Sequence, residues 1–489
     1  MFSLSPLVET SAYRCCSTKR GIAGLSPSLC RPSKAYFAYV AGLLAEVGMA
    51  SGLDTLCGQA YGAQQYKKLS IHTYSAILSL ILVCLPVSFL WISLGRLLLL
   101  IGQDPLISQE AGRYIEWMIP GLFAIAATQP LMKFLQSQSL IFPMLLSSAA
   151  TLCIHIPLCW IMVFKSGIGN IGAALSISIT YWINLAILVL YIKYSDSCKA
   201  TRAPISMEAV SRIVEFLRLA VPSAIMICPE WWSFELLVLL SGLLPNPRLE
   251  ASVLSICLTS ISLLYTIPSG LGSAASTRVS NELGAGNPER ARVAVRVVIS
   301  ITIVLSLTMS VSLLILGRVV GYAYSDEKEV VDYVWKMIPL LSISVVMDSF
   351  QGVLKGIARG CGWQHIGAYV NLGAYYLVGI PNALVLAFVV HTGGMGLWIG
   401  ILSGSMVQCA LLGLITTFTN WQQQAASASE RVSGESCHRE NVTYVSMKDD
   451  FLSLWARLAA SEESLAEARR KKKKVTSWLV NKEFQLSSS

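Results

Sequence analysis

The chain has 489 residues, of which 54% are hydrophobic and 13% charged, and its formal net charge is +9. That charged fraction is about half the ~25% of a soluble domain, and with a mean hydropathy of +0.59 it excludes an ordinary soluble enzyme, a disordered chain and a collagen-like fibre. An all-α polytopic membrane protein remains, because lipid leaves only helices and closed barrels with satisfied backbones, and the apolar runs are too long and unalternating for a barrel.

Residues 1–34 open the chain with Arg14, Lys19, Arg20, Arg31 and Lys34 against Glu9, and hold no apolar run long enough to cross a bilayer. Eleven candidate spans follow, at about 35–57, 71–95, 115–131, 141–164, 171–192, 219–244, 252–272, 297–316, 337–354, 366–390 and 395–418, most near the ~20 residues a tilted helix needs. The first is the weakest, with Glu46 and Asp54 inside it. The connections alternate in charge. Residues 58–70, Lys133, 193–218, 277–296 and 355–359 carry fourteen basic residues, against seven on the other side, so that set is expected to be cytosolic. The basic run Arg469–Lys474 of the tail falls on the same side. Eleven spans then leave residues 1–34 outside, against their charge, and a helix is expected to be missing relative to a twelve-helix parent. Residues 420–489 are polar and read as a disordered cytosolic tail, in which Phe451–Leu458 could form a short amphipathic helix. The sequon Asn441-Val-Thr443 would not meet its enzyme there.

Thirteen cysteines are scattered without a CxxC or a Cys/His cluster, so buried small thiols are expected, with no disulfide framework and no metal site. His72, His155, His365 and His391 lack partner spacing, which weighs against a membrane enzyme. The Gly-rich Asn281–Pro288 stretch lacks the phosphate-cradling pattern and reads as a tight turn, so no ATP-driven step is expected.

The chain repeats itself. Thr55-Leu-Cys-Gly-Gln59-Ala-Tyr-Gly62-Ala63 is echoed by Thr277-Arg-Val-Ser-Asn281-Glu-Leu-Gly284-Ala285, an offset of 222. Tyr114…Ile119-Pro120 is echoed by Tyr333…Ile338-Pro339, an offset of 219. Two pairs at nearly one offset indicate two homologous halves, a signature of secondary transporters with the substrate site between repeats.

At these residues the sequence resembles the MATE (multidrug and toxic compound extrusion) family, in its plant DETOXIFICATION-type branch. The resemblance rests on Leu53–Ala63, Cys228-Pro-Glu-Trp-Trp-Ser-Phe-Glu235, Ala275–Pro288 and Gly356-Ile-Ala-Arg-Gly-Cys-Gly-Trp363, within about 35–432. It implies two pseudo-symmetric helical lobes: 35–192 as an incomplete lobe of about five helices, 193–218 as a cytosolic loop, and 219–419 as a lobe of six. It also implies export of organic solutes, cationic or flavonoid- and alkaloid-like, in exchange for protons, with sodium as second choice and no cofactor. The expected partners are the small organic substrate and the lipid bilayer, with no nucleic acid, and the chain is expected to be monomeric, in the plasma or vacuolar membrane. A truncated non-functional chain and a lipid flippase or channel are the alternatives. The chain departs from the family pattern at its absent first helix, at Glu46 and at Lys355, where a small residue is usual.

Acids inside the later spans are Glu116, Glu230, Glu235, Glu250 and Asp348. Glu230 and Asp348 each lie eleven residues into their spans, about 16 Å deep in a core of ~30 Å, so both reach the midplane although their helices run oppositely. A carboxylate there must face a cavity, find a partner or take up a proton. Both positions match acidic sites that the resemblance assigns to proton coupling. Glu116 sits at a span entrance and reads as a solvated rim. Glu235, about 140° around the helix from Glu230, is a cavity residue or a salt-bridge partner. Pro229 and Pro222 mark a helix kink, either functional or tolerated packing. Trp231, Tyr265 and Tyr375 are candidates for the wall of a substrate cavity by stacking, with Asn371 and Asn382 as its polar part.

Overall fold

The computed structural model describes residue 42 and residues 45–100, 105–204 and 206–433, and every regular element among the described residues is helical. After helical residues 45–50 come α1 (Leu53–Gly62), α2 (Tyr66–Ile92), α3 (Leu94–Leu100), α4 (Pro105–Glu116), α5 (Ile119–Ser137), α6 (Ile141–Lys165) and α7 (Asn170–Tyr194). Then follow α8 (Ile213–Ser241), α9 (Pro247–Gly284), α10 (Pro288–Tyr324), α11 (Lys328–Cys361), α12 (Gln364–Val389), α13 (Gly393–Phe418) and α14 (Trp421–Ser433). Among the described residues nine helices are long and apolar enough to cross a bilayer, and α4 and α5, bent by 47° at their junction, form a tenth candidate. These cover the expected spans from 71–95 onward. The first expected span, 35–57, lies partly outside the described residues; its latter part is helical.

The interior is built the membrane way round. Large apolar side chains such as Phe89, Val304, Ile315 and Leu377 stand exposed, where lipid would cover them. Small and polar side chains are buried instead, and Thr73, Ser75, Ser79 and Thr302 return their hydroxyl protons to the carbonyl four residues back. That satisfies them without an outside partner. Only 22% of the most apolar window of α10 is buried, against 50% for α11, so α11 is the central helix of its half. Buried apolar side chains between Met49 and Ala220 form one core cluster, and those from Met226 onward form two others.

Three expected loops are largely helical. α9 continues to Gly284 and α10 starts at Pro288, so the expected 277–296 loop shrinks to a turn at 285–287. Gly286 takes φ +72° there, a left-handed conformation that glycine adopts without strain, and Pro288 is preset for a first helical turn. Likewise 58–70 is broken only around Gln64, and Lys355 and Arg359 lie within α11. Leaving the bilayer does not end a helix whose polar residues are sound helix formers. The tail departs from expectation at α14, which buries Trp421, Ala425, Ala428 and Val432 along one face. The opening segment 1–34, the sequon at Asn441, Phe451–Leu458 and Arg469–Lys474 lie outside the described residues.

The two repeat motifs meet. A Cβ at Gly62 would strike the backbone of Asn281, and one at Gly284 would strike that of Gln59, so α1 and α9 can touch only through glycine. The contacts are crossed: Gln59 Nε2 donates to the Gly360 carbonyl (3.3 Å), and its repeat counterpart Asn281 Nδ2 donates to the Ser137 carbonyl (3.0 Å). Each half thus ties down a helix end of the other at the basic end of the molecule.

Candidate functional site

Glu230 and Asp348 come into one interior, between α8, α9 and α11. Both are buried. The sequence did not announce their neighbour: Lys355, on α11 seven residues after Asp348 and so on the same face two turns on, forms a buried ion pair with Glu230. Its ammonium also stands 5.8 Å from the ring centre of Tyr265 on α9. Tyr265 in turn meets Trp231 edge to face, with ring centres 6.2 Å apart and planes at 74°. Asp348 feels the charges of both Glu230 and Lys355, but no hydrogen bond or ion pair holds it among the described residues. Its carboxylate borders a crevice lined by Ile261, Leu264, Tyr265, Pro268, Met309 and Val345, too tight in this state to hold a water molecule.

Local sequence explains this placement. α9 and α11 pack through Gly272 and Gly356, where a Cβ on Gly356 would collide with the Gly272 backbone. That close approach sets the lysine preceding Gly356 beside Tyr265. α8 runs as a helix through Pro222 and Pro229, both buried. Pro229 removes the donor that Ile225 would normally receive, and the next carbonyl, Met226, accepts a 2.5 Å bond from Asn371 Nδ2 on α12. Pro229 therefore marks where α12 braces α8.

The other candidates are distributed. Glu235, half-buried, has no hydrogen bond or ion pair among the described residues. Tyr375 is wholly buried on a π-helical turn of α12, bonded to Gln351 (2.8 Å) and Ser405 (2.9 Å), while Gln351 also reaches Gln408. Tyr375 and Asn371 thus cross-link helices and do not line the crevice in this state; Asn382 is exposed and pairs with Ser403. Glu116 is exposed, as expected of a rim. Glu250 accepts from Tyr333 Oη (2.9 Å) and the Gly394 amide (3.1 Å), a tie at the end opposite the basic one. Glu46 is fully buried; it accepts from Cys84 Sγ on one oxygen and has no partner on the other among the described residues.

A second charged cluster escaped the sequence reading. Asp54 is buried on α1 between Lys133 of α5 (2.7 Å) and Arg359 of α11 (3.0 Å), so one carboxylate joins the two halves. Thr55 Oγ1 donates to the Arg359 carbonyl and accepts from Gln364, both at 2.5 Å. Arg431 of α14 completes the closure, donating to Gln59 (3.0 Å) and to the Cys361 carbonyl (3.1 Å). Lys68 reaches the carbonyl of Val432. The signal was present: an acid inside an apolar span, with basic residues at two span ends on one side of the membrane. In the sequence alone the same acid reads only as a weakness of its span.

The MatE family matches residues 36–161 and 222–385. Protein DETOXIFICATION 14 of Arabidopsis thaliana is 56% identical over 399 residues, 82% of each chain. Protein DETOXIFICATION 10 of the same plant is 53% identical over 81% of each chain. The crystal structure of the eukaryotic MATE transporter AtDTX14 aligns with a TM-score of 0.83 at 52% identity, over 88% of this chain and 96% of that one. An outward-facing multidrug resistance MATE family transporter of the MOP superfamily aligns at a TM-score of 0.74 and 16% identity, over 88% of this chain and 93% of that one, and so shares the fold.

Proposed function

This chain belongs to the MatE family of multi-pass membrane transporters, and from that premise we propose that it exports organic solutes in exchange for protons by alternating access. The observation that carries the reading is the buried cluster of Glu230, Asp348 and Lys355, one acid paired and the other bordering a crevice. Protonating Glu230 removes the negative half of its ion pair and frees Lys355 to move. Protonating Asp348 removes a second charge from the same interior. Either event changes how α8 and α11 hold each other, which is the coupling an exchanger needs.

The halves on either side of the 193–218 connection are the moving lobes, and the basic end faces the cytosol. In the state described, that end is closed by Asp54, Gln59 and Asn281. Protons are favoured over sodium because a sodium ion at Glu230 would have to displace an ammonium already there. The chain acts as a monomer in a plasma or vacuolar membrane, with no cofactor.

The test is reconstitution in vesicles under an imposed pH gradient, following extrusion of a fluorescent organic solute. Glu230→Gln is expected to lose gradient-driven flux while still inserting. Asp348→Asn, which leaves the ion pair intact, is expected to do the same. Normal flux by both variants would overturn proton exchange at this site.

A further inference from the structure

Most cations on the surface of the basic end already have a partner in the protein. Lys67 pairs with Glu208 (3.4 Å), Arg212 with Glu215 (2.9 Å) and Arg278 with Glu282 (2.8 Å). Arg202 donates to the carbonyls of Ile192 and Lys193, and the Lys193 ammonium stands 5.5 Å from the ring centre of Tyr194. The opening of α10 is different. Arg290, Arg292 and Arg296 are all exposed there, and their side chains make no hydrogen bond or ion pair among the described residues. Glu289, the acid of that first turn, is exposed and pairs with none of them. Lys199 is also exposed and unpaired among the described residues, but it is a single residue in the 193–218 connection.

The three arginines also sit at a particular height. α10 has 37 residues, about 55 Å of helix against a hydrocarbon core of ~30 Å, so it must stand out of the bilayer. Its stretch 297–316 holds no Asp, Glu, Lys or Arg and is the part that lipid covers. Arg296 borders that stretch, and Arg292 lies one turn further out on the same face. Val293 and Val297, 53% and 52% exposed, lie between these two and Arg290 around the helix. The exposed face runs on through Ile301, Val304, Leu307 and Val311. Three unpaired guanidinium groups therefore head a continuous apolar stripe.

We propose that Arg290, Arg292 and Arg296 form a binding site for the phosphate headgroup of an anionic phospholipid in the cytosolic leaflet, its acyl chains lying along the exposed stripe of α10. Charge and shape both select this occupant. The cytosolic leaflet is the anionic one, and the basic end faces it. A guanidinium fork matches two phosphate oxygens at once, which an ammonium cannot. A soluble phosphate would use the arginines but leave the stripe unused. Each arginine is expected to contribute about fivefold in affinity. The site stands apart from the buried acids and does not depend on the proton-exchange reading.

The test uses the full chain in detergent, with bound lipids counted by native mass spectrometry. The probes are dioleoyl phosphatidic acid and dioleoyl phosphatidylcholine, which share their chains and differ in headgroup charge. The wild-type chain is expected to retain phosphatidic acid at least about tenfold more tightly, and the preference should shrink as salt rises. No preference overturns the proposal, whatever becomes of the variants. The triple substitution Arg290→Gln, Arg292→Gln, Arg296→Gln should lose at least about tenfold in phosphatidic acid affinity and leave phosphatidylcholine unchanged. Substituting all three by Lys should lose only a few-fold, since the charge remains and the fork does not. Removing three other cations of the same end, by Lys67→Gln, Lys199→Gln and Arg278→Gln together, should change little. An equal loss in that control would show a diffuse charge effect and overturn the site. Inorganic phosphate that displaces the lipid better than sulfate at matched ionic strength and charge would make this a soluble-phosphate site, and overturns the lipid assignment.

Discussion

Asp54 and Glu230 are both buried acids with a lysine partner, yet the first is shared between the halves of the molecule and the second is held within one half. Asp54 binds Lys133 on its own side of the sequence and Arg359 on the other. If the halves separate at the basic end, the Asp54–Arg359 pair must break, whereas the Glu230–Lys355 pair can persist. A change of protonation at Glu230 does not by itself part the halves. On the proton-exchange reading proposed above, labour is divided: the interior cluster would sense the proton, and the basic-end cluster would set which face is open.

That division can be broken in order of effect. Glu230→Gln should bring gradient-driven flux down to that of protein-free vesicles while leaving the basic end closed; maleimide labelling of Cys57 and Cys361, both buried there, should not rise. Asp54→Asn should do the opposite. Removing one member of a buried pair costs about 3–5 kcal/mol because the remaining charges stay buried and uncompensated. Lys133 and Arg359 would be left so, and labelling of Cys57 and Cys361 should increase sharply. Unchanged labelling would remove Asp54 from the closure. Arg431→Ala should act in the same direction but less, since it deletes two part-buried hydrogen bonds and leaves behind only uncharged acceptors, not a buried unpaired charge. Labelling of Cys361, whose carbonyl Arg431 holds, should rise before that of Cys57. The exposed pair Lys67–Glu208, at 3.4 Å with side chains 74% and 39% exposed, should matter least. Lys67→Ala should change neither labelling nor flux measurably, as expected of a solvated pair.

The spans were legible because a bilayer imposes one rule on every one of them: about twenty apolar residues with internal hydrogen bonds. Depth counting brought Glu230 and Asp348 to similar heights for the same reason, since 1.5 Å per residue holds in any helix. The repeat was legible as well, and its two copies prove to touch. The length of the polar helix ends was not legible, because hydropathy stops at the edge of lipid while backbone hydrogen bonding does not. α14 is illegible on the same ground: its composition is polar, and only Trp421, Ala425, Ala428 and Val432 on one face find a surface to cover.

The chain alone therefore determined the class, the number and order of most spans, the duplication, and which acids lie deep in the membrane. These depend on local composition and on a periodicity that no neighbour can alter. The tertiary structure decided the partners: that Lys355 neutralises Glu230, that Asp54 bridges Lys133 and Arg359, and that Asn371 and Tyr375 bond to side chains and backbone of other helices. Each of these pairs residues from different helices, many of them more than a hundred positions apart. Which faces meet there is settled by where glycines let two backbones approach, a property of the packed pair and not of either segment.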